Sequence, residues 1–304
     1  MKDNKGTALA ANRRVMMGVG GACLLLLLYP LWGSNVYGGR NSINDQLQSN
    51  LFVENSGTCD NEVMFGLEED AGWWLCWPKE YKASKRDCKI LSWGIQDHFS
   101  FDEAVVKAGC DVHGFDPSPL GLSSHKRYTE MGGMYHPYGL GGIDKTYGPG
   151  QVPFNWPGIK YLQARNSEPW TLKSVVSTLQ DVGHMPASTI STGGKSLMVL
   201  KIDVEGTEWD VLDQLVDAHW DQLLLELHFP PTEYHLSEVG HKKGFVVTRL
   251  PQSGLYNAMF PPQKDYIALW QQIMRVADMW KYSFNLNDRA RACVEVYLTR
   301  KAGL

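Results

Sequence analysis

Two stretches of this chain are apolar at nearly every position for the length of a strand: SLMVLKIDV (196–204) and QLLLELHF (222–229). Unbroken apolar runs bounded by turn residues are how strands buried on both faces of a parallel sheet read. CKILSW (88–93) is a shorter run of the same kind. CDVHGF (110–115), closed by Asp116-Pro117, is another, and GMYHPYGL (133–140) is a third candidate. Helical spacing falls between them. FDEAVVKAG follows the first short run, and PWTLKSVVSTLQDVG (169–183) carries Leu172, Val175, Val176 and Leu179 at helical intervals. Beyond Gly206, Trp209, Leu212, Leu215 and Val216 recur in the same way, and a 15-residue helix is expected over 265–279. YSFNLN (282–287) and CVEVYLTR (293–300) then lie close together with no helix between them, which predicts an antiparallel pair at a sheet edge. Alternation of this kind predicts an α/β fold with a mainly parallel sheet. The segment 230–263, with proline pairs at 230–231 and 261–262, reads as an inserted excursion.

The N-terminal pattern is different. VMMGVGGACLLLLLYPLW (15–32) has 18 residues and no charge, near the minimum that spans a bilayer as a helix. Lys2, Lys5, Arg13 and Arg14 precede it and would stay cytosolic. Bulky Tyr29, Pro30 and Trp32 favour a signal-anchor over a cleaved signal peptide. The expected layout is a cytosolic tail (1–14), the anchor (15–32), a flexible Gly/Asn/Ser-rich stem (33–58) and a globular domain (59–304) in the lumen of the secretory pathway, the Golgi foremost. A secreted product and a mitochondrial presequence are weaker alternatives. Cys23 sits in the apolar segment, leaving Cys59, Cys76, Cys88, Cys110 and Cys293. An oxidising lumen permits pairing, but the count is odd, and no CxxC suggests a zinc knuckle. A net charge of −4 gives no basic bias for nucleic acid. Eleven tryptophans point to core and pocket walls.

In an open parallel sheet, ligands bind outside the carboxyl ends of the strands. Gly94 stands just past the first short run, and Asp116 stands past the second, 22 residues on. A carboxylate there can accept the hydroxyls of an adenosine ribose. GxGxxG is missing, so a pyrophosphate cofactor fits poorly; S-adenosylmethionine, which carries adenosine without phosphate, fits better than NAD. In LKIDVEGTEWDVL (200–212), period two places Lys201, Asp203 and Glu205 on one face, near the end of a buried strand. Such groups are costly unless paired or part of a site. In the plain structural alternative, Lys201 pairs with Asp203 or Glu205 and Thr207 caps the next helix. Glu208 and Asp210 are assigned to that helix start, favouring its dipole. On the following strand Glu226 and His228 share a face. His228, or Asp203, is the expected base. Asp203, Glu226 and His228 form an alternative ligand set for a divalent metal, although no metal is included in the expected site. His98 and His113 are taken as structural.

LKIDVEGTEWDVL resembles the signature strand and turn of FkbM-type methyltransferases. CKILSWGIQDHFSFDEAVVKAGCDVHGFDPSP (88–119) resembles the start of the domain in the methyltransferase-like protein 24 family. YHPYGLGG (135–142), LLLELHF and NLNDRARACVEVYLTR (285–300) resemble their counterparts there. The resemblance implies a class I, Rossmann-like sheet of seven strands with an antiparallel C-terminal hairpin strand, binding S-adenosylmethionine. It puts Gly94 and Ile95 in the cofactor loop, Asp116 and Pro117 at the ribose, and Asp203 next to the methyl group. It also implies oxygen methylation of a hydroxylated, plausibly glycan, acceptor. Two rivals are a lumenal glycosyltransferase using Asp203-x-Glu205 with a metal, and a non-catalytic protein of the same fold.

Overall fold

The computed structural model describes residues 57–67, 72–148, 151, 169–183, 196–204, 206–228, 266–284 and 293–302. Expectations for the anchor, most of the stem, Glu205 and the 230–263 excursion lie outside the described residues. No helix among the described residues is long and apolar enough to cross a membrane.

The chain runs through strands β1 (Glu62–Phe65), β2 (Trp73–Cys76) and β3 (Cys88–Trp93), helix α1 (Ser100–Ala108), β4 (Asp111–Phe115), α2 (Pro119–Glu130), β5 (Met134–His136), β6 (Gly139–Leu140), β7 (Lys145–Tyr147), β8 (Trp170–Lys173), α3 (Val175–Asp181), β9 (Leu197–Ile202), α4 (Glu208–Asp217), β10 (Gln222–His228), α5 (Tyr266–Val276), β11 (Ala277–Phe284) and β12 (Cys293–Arg300). Seven strands form the main sheet in the order β11-β12-β10-β9-β3-β4-β5. All neighbouring pairs from β10 to β5 are parallel, while β12 runs antiparallel to β10 and β11. The expected antiparallel pair therefore closes one edge. Chain order reverses between β3 and β9, which is where an open α/β sheet leaves its crevice.

Period two divides the core. Leu91, Trp93, Met198, Leu200 and Ile202 face the layer that contains α3, α4 and α5. Cys88, Ile90, Leu197, Val199 and Leu224 face the layer of α1 and the β1–β2 hairpin. Lys201 and Asp203 continue this second face, as the sequence predicts. Trp93, Trp209, Trp220 and Trp270 are fully buried, matching the expected use of tryptophan in the core. Disulfides join Cys59 to Cys76 and Cys88 to Cys110. The first ties the chain entering the domain to β2, and the second ties the start of β3 to the residue before β4.

Three expected elements differ. GMYHPYGL divides at Pro137: β5 pairs with β4, but β6 joins a separate three-stranded sheet with β8 and β7. Proline has no N–H to continue a ladder. The helix expected over 169–183 begins only at Val175, because Ser174 is extended and its hydroxyl caps Ser177 N at 3.2 Å. Leu172 belongs to β8, and Val176 faces solvent at 55% exposure. The helix expected over 265–279 stops at Val276, and β11 starts at once. Pairing with β12 along Ala277–Phe284 overrides the local helical spacing. The β1–β2 hairpin was not anticipated.

Candidate active site

The ends of β3 and β9 meet at the switch point. Gly94, directly after β3, has φ of +78°, and an added Cβ would lie 1.7 Å from the carbonyl oxygen of Asp203. Its N–H donates to Phe115 O at 3.0 Å. Only glycine lets this turn sit against the backbone that follows β9. Asp116, past the end of β4, is 3% exposed. One of its carboxylate oxygens accepts from Ser118 N and the other from Gln96 N, both at 2.7 Å. Burial raises its pKa, against these hydrogen bonds. The carboxylate thus ties the loop after β3 to the loop after β4, and each oxygen retains a second lone pair.

Asp203 lies across from this loop with its side chain 26% exposed. Burial pushes its pKa up, but Lys201 and then His228 pull further, holding it below the usual carboxylate range. The Lys201 ammonium is 3.3 Å from Asp203 Oδ2 and donates to Trp93 O at 3.3 Å, so this buried lysine bridges the ends of β3 and β9. Ligand-type atoms of Asp203, Glu226 and His228 all lie within 4.8 Å of one another. The expected trio is brought together by the parallel register of β9 and β10, in which Ile202 pairs with Leu225.

Glu208, assigned from the sequence to the helix start alone, also belongs to this corner. It does stand in the first turn of α4, but it is fully buried. Its carboxylate accepts from Val204 N at 2.8 Å and Gly206 N at 2.7 Å, which shapes the turn after β9. The same carboxylate sits 3.0 Å from His228 Nδ1. This fixes the orientation of the imidazole from behind. Trp209 Nε1 donates to His228 O at 2.6 Å, anchoring the strand end as well. Nothing local in the sequence couples Glu208 to His228; the partner arrives from the next strand. Thr207 occupies the cap position but makes no side-chain cap bond, correcting the expected capping, while Asp210 is an exposed helix-start residue.

Of the remaining expected residues, Ile95, Pro117 and His113 are packed. Ile95 is 1% exposed among Phe99 and Tyr128, and Pro117 is buried. Any contact of Ile95 with a ligand must come through its backbone. His98 pairs with neighbouring Asp97 at 3.3 Å. His113 is structural: it is 4% exposed, with Nδ1 3.0 Å from His136 Nε2 and Nε2 3.3 Å from Asp111 Oδ2.

His113 gives a pH dependence. Burial first, then Lys89, pushes its pKa from 6.5 to about 4, and burial lowers that of His136 too. The unfolded chain therefore takes up protons first as pH falls, so stability is lost from the unfolded value near 6.5 downward. Between pH 7 and pH 5 the His113 contribution is on the order of 2 kcal/mol. Thermal unfolding midpoints should fall over this range, and His113→Gln should flatten the profile.

A mainly parallel seven-stranded sheet of this order fits a Rossmann-like methyltransferase fold. The family described as "Methyltransferase domain" matches residues 38–245, starting inside the expected stem, and the chain belongs to that family. Probable methyltransferase-like protein 24 of Rattus norvegicus is 24% identical over 211 residues, covering 63% of this chain and 51% of the relative. The chain thus spans about half the length of that curated relative. The crystal structure of methyltransferase FkbM from Methylobacillus flagellatus KT aligns at 14% identity and a TM-score of 0.35, over 72% of this chain and 45% of that one. So loose a structural likeness carries no argument.

Proposed function

We propose that this chain transfers a methyl group from S-adenosylmethionine to a hydroxyl oxygen, with glycans among the acceptors, in the secretory lumen, where residues 15–32 anchor it. The observation that carries the reading is the juxtaposition of Gly94 and Asp203 at the switch point, with Asp203 held ionised and partly exposed. S-adenosylmethionine supplies an electrophilic methyl group on a positively charged sulfur. The residues fit it. Asp116 has acceptor capacity left for ribose hydroxyls, and an ionised Asp203 favours a cationic ligand beside it. The corner of Asp203 and His228 is where the acceptor hydroxyl is oriented and its proton removed. Two disulfides among the described residues support an oxidising compartment. The glycosyltransferase alternative shares the Asp203 metal-ligand cluster, but the family membership speaks against it.

The test is to incubate the full chain with isotopically methyl-labelled S-adenosylmethionine and panels of glycans, lipids and small hydroxylated metabolites. Label in an alkali-stable ether is expected. Label found only on nitrogen, or only in alkali-labile esters, would contradict oxygen methylation of a hydroxyl.

A further inference from the structure

We propose that Asp203, Glu226 and His228 hold a divalent cation at the carboxyl ends of β9 and β10; this rests on the reading of that corner as a methyl-transfer site. The donor atoms lie within 4.8 Å of one another. Ligands around a cation with bonds of about 2.1–2.3 Å lie about 3–4.6 Å apart, so little side-chain movement closes the set. Two carboxylates and an imidazole, without thiolate, suit magnesium, manganese or ferrous iron.

Strand pairing gives one supporting feature. Glu226 pairs directly with Glu295 across β10 and β12, while the β9–β10 register brings Asp203 beside Glu226. Three carboxylates therefore stand side by side on one face of three adjacent strands, spaced roughly 4.8 Å apart. Like charges so placed destabilise a sheet. Lys201 reaches Asp203, and the Tyr297 hydroxyl donates to Glu295. A divalent cation between Asp203 and Glu226 would offset the repulsion of their like charges.

The hold on His228 is the second independent feature. Glu208 comes from α4, outside the trio, and is fixed by two backbone N–H groups before it meets His228 Nδ1. A carboxylate behind an imidazole sets the ring's orientation and raises its basicity as a ligand, the usual support for a metal-bound histidine. Three protein ligands leave coordination positions open. An acceptor hydroxyl bound there would lose its proton to water more readily, and the resulting oxygen would form its bond to carbon as the sulfur–carbon bond breaks, the electron pair staying on sulfur. The site thus favours acceptors that present a second oxygen next to the methylated hydroxyl, since the two can chelate.

The experiment titrates the full chain with Mn²⁺ alone, following free Mn²⁺ by paramagnetic resonance, and separately with S-adenosylmethionine by calorimetry. One Mn²⁺ per chain is expected. Glu226→Gln and His228→Asn should each weaken it at least about tenfold, and Glu208→Gln by about 10–100-fold. Exposed Glu103→Gln should bind as wild type. S-adenosylmethionine affinity of the Glu226→Gln protein should match wild type, showing that it is folded; if that protein does not fold, His228→Asn decides. S-adenosylmethionine binding without Mn²⁺ uptake, or uptake unchanged in the folded variants, overturns the cation and leaves the methyltransferase reading in place. Mn²⁺ uptake that depends on the trio, without S-adenosylmethionine binding, keeps the cation site and overturns the methyl-transfer reading on which its role rests.

Discussion

Gly94→Ala is expected to destabilise the domain by roughly 3–5 kcal/mol and to abolish cofactor binding. Two costs combine. The backbone at φ +78° is strained for any residue with a Cβ, and that Cβ would sit 1.7 Å from the Asp203 carbonyl oxygen. The obstacle is backbone, not a side chain that can swing away. Relief requires parting the ends of β3 and β9, the very contact that forms the switch-point corner. For a domain of this size, about 2–4 °C of unfolding midpoint is lost per kcal/mol, so a drop of roughly 10 °C should be visible by thermal denaturation. A protein with Gly94→Ala that melts and binds as wild type would show that the two strand ends do not meet this way.

The second large effect falls on chemistry. His228→Ala should lower turnover by roughly 10²–10⁴-fold while S-adenosylmethionine affinity changes little. The imidazole is held by Glu208 at the end of β10, three strands from β4, which Asp116 follows. Asp203→Asn should lower turnover similarly and also weaken the cofactor, because the ionised carboxylate is lost beside a cationic ligand. Single-turnover measurements at saturating cofactor separate the two. Full turnover in the His228→Ala protein would exclude any role for this residue in handling the acceptor proton.

Much of the site was legible because its residues sit at strand ends. Period-two spacing put Lys201 with Asp203, and Glu226 with His228, on common faces, and the sheet register then made them neighbours. Gly94 and Asp116 were legible for the same reason, each marking where an apolar run stops. Glu208 was not, because its role depends on a histidine 20 residues later arriving beside it. Glu295 escaped notice as well, since only the antiparallel register of β12 sets it opposite Glu226. In the fold, β3 and β12 match their predicted bounds, being apolar runs closed by polar or turn residues. Errors fell where a long-range partner overrode local spacing, as in β11, or where one residue such as Ser174 or Pro137 ended an element that hydrophobicity would have continued.

Calorimetric titration of the full chain with S-adenosylmethionine, run beside a nucleotide sugar with Mn²⁺, tests the methyltransferase reading most directly. Saturable binding of S-adenosylmethionine at one site is expected, weakened at least about tenfold by Asp116→Asn because a buried, charge-assisted acceptor is removed, with no binding of the nucleotide sugar. Absence of S-adenosylmethionine binding by a folded wild-type chain, or saturable binding of the nucleotide sugar in its place, would contradict it.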